Sequence, residues 1–330
     1  MIVPVALTLG DPAGIGGEIA LRAWAELRGE FPFFLIGDPT HVAGLGARLG
    51  LPVRPIAAPG EAAAAGLAGL PVLAHPLPRP VELGRPDPAN APAVVAMIER
   101  GVALARSGAA AALCTNPIHK RALQEGAGFA FPGHTEFLAH LCGAPLPVMM
   151  IACPELRVIP VTIHIALSEV PRALTAELLE TTLRVAAAGL ASDFGLRSPR
   201  LAVAGLNPHA GEGGAMGREE ITLIAPVLGR LRAEGLAVTG PHSADTLFHA
   251  GARARYDAAI CMYHDQALIP IKTLDFAGGV NVTLGLDFVR TSPDHGTAHD
   301  IAADLCADAS SLIAALRMAR DLGARRAGRA

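Results

Sequence analysis

The chain has 330 residues, of which 51% are hydrophobic and 17% charged, and its formal net charge is -3. This composition favours a large buried core, excludes a disordered protein and predicts no general attraction to nucleic acid or anionic membranes. No apolar run reaches the ~18 residues of a membrane helix, and the first residues lack the basic start of a secretory signal, so we expect a cytoplasmic protein.

Strand-like and helix-like runs alternate along the chain. In order, they are IVPVALTLG (strand), EIALRAWAEL (helix), FPFFLIG (strand), APAVVAMIERGVALARSG (helix), AAALCTN, PVMMIAC and LRVIPVTIH (strands), VPRALTAELLETTLRVAAAGLASDF (helix), LAVAGLN, AVTG and AAICMYH (strands), and SSLIAALRMARDLGARR (helix). The alternation predicts an α/β fold in which helices cover both faces of a mostly parallel central sheet. The Pro- and Gly-rich segment 51–88 is predicted to be an irregular surface elaboration.

Two glycine-rich turns lack the fingerprints of common nucleotide-binding loops. In LTLGDPAGIGGE, the position of the third glycine of G-x-G-x-x-G is Ile19, and neither this turn nor NPHAGEGGAMGREE has the phosphate-loop lysine. A Rossmann fingerprint enzyme and a P-loop ATPase are therefore disfavoured. The first turn is either an anion site at a helix N-terminus or a structural turn. The five scattered cysteines form no C-x-x-C pair and are expected to be reduced core residues.

A histidine follows three of the predicted buried strands, namely His164, His209 and His264. Because the carboxyl ends of parallel strands meet at one edge of a sheet, these side chains could hold a divalent metal and leave a coordination position open for substrate. From the pattern alone, three hydrogen-bonded histidines at the rim of the core are equally compatible. Asp245 and Asp265 are placed either to orient an imidazole or to cap a helix.

Other polar residues stand beside apolar segments, where they suit a phosphate or carboxylate ligand. For each basic residue, a solvated surface charge is the alternative. These residues are His134, Thr135, Lys272, Asn281 and Arg290, while His119 and Lys120 are either site residues or an exposed helix face.

Several long motifs together resemble the 4-hydroxythreonine-4-phosphate dehydrogenase family of vitamin B6 synthesis. They are GDPAGIG, TNPIHK, PGHTEF, GLNPHAGEGGAMGREE, ADTLF, MYHDQALIPIK and GVNVTLGLDFVRTSPDHGTAHDIA, in the family's order from residue 10 to residue 302. The resemblance implies a two-lobed α/β/α fold similar to isocitrate and isopropylmalate dehydrogenases. It implies one catalytic unit, with lobe 1 at roughly 1–130 plus 290–330, lobe 2 at roughly 131–289 and the site in the cleft between them. It also implies a homodimer with an active site at the interface.

The resemblance further implies the activity and the residues that perform it. The family oxidises 4-phosphooxy-L-threonine with NAD or NADP to 2-amino-3-oxo-4-phosphooxybutanoate, which then loses CO2 to give 3-amino-2-oxopropyl phosphate. One divalent metal per site, Zn²⁺, Mg²⁺ or Co²⁺, falls on His164, His209 and His264 and is shared between subunits. The family's substrate residues fall on His134, Thr135, Lys272, Asn281 and Arg290. NAD is expected near His295, Gly296, Thr297 and Asp300. The candidates for proton transfer and for support of the site are Lys272, Asp245 and Asp265.

Two departures from the family pattern leave finer choices open. Gly17 and Ser243 stand where the family usually has proline. The alternative functions are a sister dehydrogenase acting on threonate or erythronate 4-phosphate, a metal-dependent hydrolase that uses the same histidines, and a non-catalytic binding protein.

Overall fold

The computed structural model describes residues 2–328, in which strands and helices alternate along most of the chain. The strands are β1 (Val5–Thr8), β2 (Phe33–Gly37), β3 (Val53–Ile56), β4 (Leu70–Ala74), β5 (Leu113–Thr115), β6 (Val148–Cys153), β7 (Leu156–Pro160), β8 (Leu201–Ala204), β9 (Val238–His242), β10 (Ala258–Cys261), β11 (Val280–Leu284) and β12 (Arg290–Pro293). The α-helices are α1 (Gly16–Leu27), α2 (Pro39–Leu49), α3 (Ala62–Ala65), α4 (Ala91–Arg106), α5 (Lys120–Ala127), α6 (His134–Cys142), α7 (Val170–Ala173), α8 (Ala176–Ser192), α9 (Ala225–Ala233), α10 (Ala250–Arg253), α11 (His264–Leu274) and α12 (Ser310–Ala327). None of the helices within residues 2–328 has the length and apolarity that crossing a bilayer requires.

The chain divides into two compact units. Unit 1 contains the residues up to Ala144 and those from Leu286 onward, and unit 2 is Pro145–Gly285. In unit 1 the strand order is β3-β4-β2-β1-β5-β12, and every neighbouring pair is parallel. Together with the largely parallel strands of unit 2, this confirms the predicted α/β fold with a mostly parallel sheet. The lobe boundaries and the cleft inferred from the resemblance stay predictions.

Side chains of the first strand point alternately to two helix-covered faces of unit 1. Thr8 lies against Gly101 of α4, whereas Leu9, just after the strand, lies against Gly17 of α1. Because successive side chains of a strand point to opposite faces, α4 and α1 cover opposite faces of the sheet. Leu7 has no exposed surface, and burial of such a side chain stabilises the fold by about 1.5–3 kcal/mol.

The sheet of unit 2 brings three parallel strands side by side. Its strand order is β11-β6-β7-β10-β8-β9; β6 runs antiparallel to both β11 and β7, and the other neighbouring pairs are parallel. Ile260 of β10 pairs with Ile159 of β7 on one side and with Val203 of β8 on the other. The carboxyl ends of β7, β10 and β8 therefore meet at one edge, with β10 in the middle.

The segment predicted to be irregular contains regular structure, so that prediction is wrong. Residues 51–88 include β3, α3 and β4, and β4 pairs in parallel with both β3 and β2. Leu70 and Val72 of β4 have no exposed surface. A short, wholly apolar run is typical of a buried parallel strand, but the prolines and glycines around it obscured this pattern.

The helix predicted to begin at Val170 is two helices. α7 ends at Ala173, and Thr175 then caps α8 by accepting a hydrogen bond at its Oγ1 from the backbone N–H of Leu178, at 3.1 Å. Threonine is a preferred N-cap because its hydroxyl satisfies an amide at the start of a helix. The cap therefore begins a new helix where the apolar periodicity alone predicted continuity.

The cysteines are all free, but not all are core residues. Cys114, Cys153 and Cys261 are buried, Cys142 is half-buried and Cys306 is exposed. The expectation of core positions is therefore wrong for Cys306. Burial raises the pKa of the Cys114 thiol to about 12, so this thiol is protonated at neutral pH and is no nucleophile.

Candidate functional site

The three histidines predicted as metal ligands follow the three neighbouring parallel strands of unit 2. His164 follows β7, His264 follows β10 and His209 follows β8. The chain therefore leaves the sheet at the same edge before each histidine. The ring centroids of His164 and His264 are 5.5 Å apart.

His164 and His264 also line one cavity of about 230 Å³ in unit 2. Asp265 lines it as well, and its Oδ1 lies 2.8 Å from Nδ1 of His264. This contact occupies one ring nitrogen and leaves Nε2 as the nitrogen that can bind a ligand. A carboxylate on the second nitrogen is the usual support of a metal-binding histidine.

The described residues fit a divalent cation through two of the three predicted ligands. Two imidazoles on one tetrahedral ion, with Zn–N distances of about 2.0–2.1 Å, place their ring centroids roughly 5 Å apart, close to the separation of His164 and His264. No group of three or more His, Cys, Asp or Glu side chains within residues 2–328 is arranged to hold a metal ion. The participation of His209 therefore stays a prediction.

Two of these histidines have a left-handed backbone. The φ angles of His164 and His209 are 55° and 51°. His209 is the first of six consecutive residues with positive φ, ending at Gly214. A left-handed conformation costs a non-glycine residue about 1–2 kcal/mol. Strained residues of this kind cluster at functional sites, where surrounding contacts hold them in place.

A buried carboxylate holds the turn that contains His209. Glu220 is 3% exposed, and its Oε1 accepts a hydrogen bond from the backbone N–H of Asn207 at 2.8 Å. The side-chain amide of Asn207 donates to Glu220 Oε2 at 3.0 Å and to Glu219 Oε2 at 2.7 Å. The residues on both sides of the left-handed turn are thus joined, which fixes the position of His209.

Alanine at Gly211 should destabilise this turn more than alanine at Gly213. Both glycines have positive φ, but a Cβ at Gly211 would lie 2.6 Å from Glu220 Oε2, whereas a Cβ at Gly213 would meet nothing within 4 Å. We expect Gly213→Ala to cost about 1 kcal/mol of unfolding free energy from backbone strain alone. Gly211→Ala should cost about 2–4 kcal/mol because a buried contact is also disturbed. Urea unfolding of both variants measures the difference, and equal losses would contradict it.

Ser243, which stands where the family usually has proline, makes a local hydrogen bond that explains the difference. Ser243 Oγ donates a hydrogen bond to Asp245 Oδ1 at 2.5 Å, which a proline could not do. This hydrogen bond, followed by the nearby His209, lowers the pKa of Asp245 below its usual value. Asp245 is therefore an exposed carboxylate beside a predicted metal ligand. Gly17 also stands where the family usually has proline, and here the side chain of Leu45 occupies the space that a larger residue would need.

The predicted substrate residues of unit 2 are half-buried polar groups. Lys272 lies in the last turn of α11, with its Nζ 5.3 Å from the ring centroid of Phe276. Asn281 lies in β11, and its buried Oδ1 has no hydrogen-bond partner among the described residues. An unsatisfied buried carbonyl oxygen is costly, so Asn281 is suited to accept a hydrogen bond from a ligand.

The predicted substrate residues of unit 1 surround the N-terminus of α6. His134 and Thr135 are the first two residues of that helix. Arg290, in β12, is 3% exposed and donates from Nη2 to Thr115 Oγ1 at 2.7 Å. Burial lowers the pKa of Arg290 to about 10, so its guanidinium stays charged at neutral pH. Lys120 adds a cation, since its Nζ lies 3.8 Å from the point that a Cβ of Gly133 would occupy. Helix N-termini attract anions, and these positive charges suit the same ligand.

Acid should destabilise the protein partly through His134. Burial, and then the charges of Arg290 and Lys120, lower the pKa of His134 well below its ordinary value. The unfolded chain therefore takes up a proton at His134 as the pH falls below about 6.5, whereas the folded chain resists it. The stabilisation is complete above that pH and is lost on acidification. Urea unfolding at pH 7.5 and 5.5 measures this effect. On acidification, the unfolding free energy of His134→Gln should fall less than that of wild type. The slopes of unfolding free energy against pH should differ by an amount that corresponds to at most one proton. An unchanged slope would contradict this assignment.

The predicted NAD residues form a loop that packs on the first glycine-rich turn. The carbonyl oxygen of Thr297 accepts a hydrogen bond from the N–H of Ile15 at 3.1 Å, and a Cβ at Gly14 would lie 2.7 Å from that oxygen. His295 Nδ1 lies 2.9 Å from the carbonyl of Gly296, and Asp300 is exposed. The turn is thus joined backbone to backbone to the loop, while NAD binding by these residues stays a prediction.

Sequence reasoning missed a buried carboxylate that contacts a histidine in this part of unit 1. Asp11 is 6% exposed, and its Oδ2 lies 3.0 Å from His299 Nε2. His299 also makes an edge contact with the ring of His119, with centroids 5.1 Å apart. His119 accepts a hydrogen bond from the N–H of Ala122 and so caps α5, which favours its structural interpretation. The signal available beforehand was that Asp11 and His299 lie in two of the family motifs.

The fold and the polar residues described above define a class of protein. Its members are α/β chains with histidines at the carboxyl ends of parallel strands. They also have positively charged residues around a helix N-terminus, which suits an anionic ligand. Comparison with known proteins narrows this class. Residues 31–319 match the family model described as pyridoxal phosphate biosynthetic protein PdxA. The chain therefore belongs to the PdxA family.

Individual relatives agree over almost the full length. The chain is 59% identical over 327 residues to 4-hydroxythreonine-4-phosphate dehydrogenase of Paracoccus denitrificans and 55% identical over 330 residues to that of Caulobacter vibrioides, with 98% of each chain covered in both comparisons. The crystal structure of 4-hydroxythreonine-4-phosphate dehydrogenase from Klebsiella pneumoniae superposes with a TM-score of 0.90 at 40% identity, covering 97% of this chain and 99% of that one. A terephthalate 1,2-cis-dihydrodiol dehydrogenase from Burkholderia xenovorans gives a TM-score of 0.66 at 29% identity, covering 97% and 98%.

Proposed function

We propose that the chain is an NAD- or NADP-dependent, divalent-metal-assisted dehydrogenase that oxidises 4-phosphooxy-L-threonine to 2-amino-3-oxo-4-phosphooxybutanoate, which decarboxylates to 3-amino-2-oxopropyl phosphate in vitamin B6 synthesis. The observation that carries the proposal is the meeting of His164 and His264, 5.5 Å apart, at the edge of a fold whose relatives are named for this activity. These relatives match along nearly the whole chain.

The chain's own residues have distinct tasks in this reaction. His164, His209 and His264 hold the cation, and Asp265 fixes the ring of His264. A bound divalent cation would polarise the substrate hydroxyl, and a bound nicotinamide cofactor would accept the hydride. The hydroxyl proton leaves to Lys272, to Asp245 or to water. Loss of the carboxyl group as CO2 then follows, because the new ketone is β to it.

The phosphate of the substrate serves as a handle for orientation. Of the predicted substrate residues, His134, Thr135, Lys272 and Arg290 would supply donors or positive charge, and Asn281 would supply an amide for the substrate. Holding the substrate in a reactive geometry is a major source of rate acceleration. Gly296 and its neighbours His295, Thr297 and Asp300 are proposed to bind the cofactor.

A homodimer is part of the proposal. Large apolar side chains are exposed on the same segments as the histidines, notably Leu167 (67%), Ile269 (64%) and Phe276 (79%). Exposed apolar surface of this kind marks an interaction site, and a second copy of the chain is the proposed partner. Light scattering should give twice the mass of one chain, and a monomer mass would contradict the dimer.

Assay of the purified protein with Co²⁺ or Zn²⁺ and NAD or NADP tests the function. Reduced nicotinamide should form with 4-phosphooxy-L-threonine and much more slowly with erythronate or threonate 4-phosphate. Preference for a sugar-acid phosphate would identify the sister dehydrogenase instead. Release of inorganic phosphate without reduced nicotinamide would favour the hydrolase.

A further inference from the structure

A carboxylate–histidine contact in unit 1 joins the first glycine-rich turn to the predicted cofactor loop, residues 295–300. The side chain of Asp11, in the turn, is 6% exposed, and that of His299, in the loop, is 20% exposed. Asp11 Oδ2 lies 3.0 Å from His299 Nε2, and Asp11 Oδ1 accepts a hydrogen bond from the backbone N–H of Ala13 at 3.0 Å. One oxygen of the carboxylate therefore holds the turn, and the other holds the loop.

His299 also contacts the part of the loop that lies on the glycine-rich turn. A carboxylate only accepts hydrogen bonds, so Nε2, which faces Asp11, is the ring nitrogen that carries the hydrogen. In a neutral imidazole Nδ1 is then an acceptor, and it lies 3.4 Å from the hydroxyl of Thr297. The carbonyl oxygen of Thr297 accepts a hydrogen bond from the N–H of Ile15 at 3.1 Å. The loop is therefore connected to the turn through both its backbone and its side chains.

The backbone of the loop needs such support. Ala298, the residue before His299, has a φ of 46°, a left-handed conformation that residues other than glycine rarely adopt. A residue of this kind keeps its conformation only where surrounding contacts hold it. The carbonyl oxygen of His299 is also confined, since a Cβ at Gly84 would lie 2.9 Å from it. The exposed residues Gly296 and Asp300 thus flank a segment that is held from the side of the protein core.

We infer that Asp11 and His299 are positioning residues for the dinucleotide cofactor, an inference that rests on the proposed binding of NAD or NADP by residues 295–300. Their contact holds the loop in one conformation, so little conformational freedom is lost when the cofactor binds. The glycine-rich turn then supports the loop and need not contact the cofactor itself. This gives a task to a motif that matches neither of the common nucleotide-binding fingerprints.

Two substitutions of His299 that differ by one methylene group test the contact. Glutamine places an amide nitrogen near the position of Nε2 and can donate to Asp11, whereas asparagine is too short to reach it. Calorimetric titration of the full-length protein with NAD and with NADP measures binding without turnover. For the cofactor that wild type binds more tightly, His299→Asn should weaken binding about tenfold and His299→Gln by less than about threefold.

A double-mutant cycle shows whether Asp11 and His299 act through the same contact. Asp11→Ala should weaken cofactor binding as much as His299→Asn does. The double variant should bind no more weakly than either single variant, because both changes remove one shared contact. The two single changes remove it from opposite sides, so either variant decides the question if the other does not fold.

Steady-state kinetics and thermal unfolding separate positioning from a merely structural role. In His299→Asn the loss should lie in KM for the cofactor, with kcat and the KM for the phosphorylated substrate within about twofold of wild type. Trp24→Phe is the matched control, since it removes a hydrogen bond of 2.8 Å to the carbonyl oxygen of Gly66 in the same unit. It should lower the unfolding temperature but leave cofactor binding unchanged.

The outcomes distinguish this inference from the function on which it rests. If folded His299→Asn and Asp11→Ala bind the cofactor within about twofold of wild type, the contact is only structural and the inference is overturned. A loss in His299→Gln as large as that in His299→Asn would also overturn it. If wild type binds neither NAD nor NADP, the proposed dehydrogenase function is overturned, and the inference with it.

Discussion

Replacement of His264 by alanine should lower kcat/KM for 4-phosphooxy-L-threonine by about 1000-fold or more. The change removes the imidazole that faces His164 and that Asp265 supports at Nδ1. Without it, the proposed cation, which would stabilise negative charge on the substrate oxygen, should no longer bind, and such stabilisation amounts to several kcal/mol. About 4 kcal/mol of lost transition-state stabilisation corresponds to a thousandfold decrease in rate. Formation of reduced nicotinamide at several metal concentrations measures the effect.

Two further variants make this result specific. His164→Ala should show a loss of the same size, because both rings line the same cavity. His249→Ala is the matched control, since His249 is an exposed histidine of the same unit that is placed in no site. A His264→Ala enzyme that keeps activity within tenfold of wild type would refute the proposed role of this edge.

Replacement of Arg290 by methionine should lower kcat/KM for the phosphorylated substrate about 10- to 100-fold, mainly through KM. Arg290 is buried beside the N-terminus of α6, and its charge persists at neutral pH because its pKa stays at about 10. A hydrogen bond to a charged group is worth about 1.5–3 kcal/mol. Steady-state kinetics over a wide range of substrate concentration separates the KM effect from the kcat effect.

An unphosphorylated analogue identifies the source of the loss. With 4-hydroxy-L-threonine, wild type is expected to be slow, and the further loss caused by Arg290→Met should be several-fold smaller. Arg121→Met removes an exposed guanidinium of the same unit and should change neither reaction. Equal losses with both substrates would mean that Arg290 supports the fold rather than the phosphate.

Part of the site could be predicted from the sequence because buried parallel strands have a recognisable apolar pattern. A continuous apolar run such as AAIC can only be a fully buried element, and a polar residue soon after it must lie at the sheet edge. This reasoning placed His164, His209 and His264 at one edge, and the strand order β7-β10-β8 makes them neighbours. The motifs then assigned the chemistry that the pattern alone left open.

Other features could not be predicted from the sequence because they depend on contacts between segments that are far apart in the chain. β3 and β4 were hidden within a Pro- and Gly-rich stretch, since their strand character comes from pairing with β2. The left-handed backbone of His209 arises from the surrounding turn, which Glu220 and Asn207 hold. The side-chain amide of Gln266 likewise has hydrogen-bond partners on two different segments of the chain, the N–H of Met262 and the carbonyl oxygen of Gly205.

The sequence by itself determined the α/β class, the places where strands end and the kinds of ligand that follow them. These properties depend on local apolarity and on side-chain chemistry, both of which can be read along the chain. Only the tertiary structure decided which strand ends are adjacent, how far His164 lies from His264 and which buried polar groups hold them. Distances between segments far apart in sequence are set by sheet pairing and by long-range hydrogen bonds, and no local pattern specifies these.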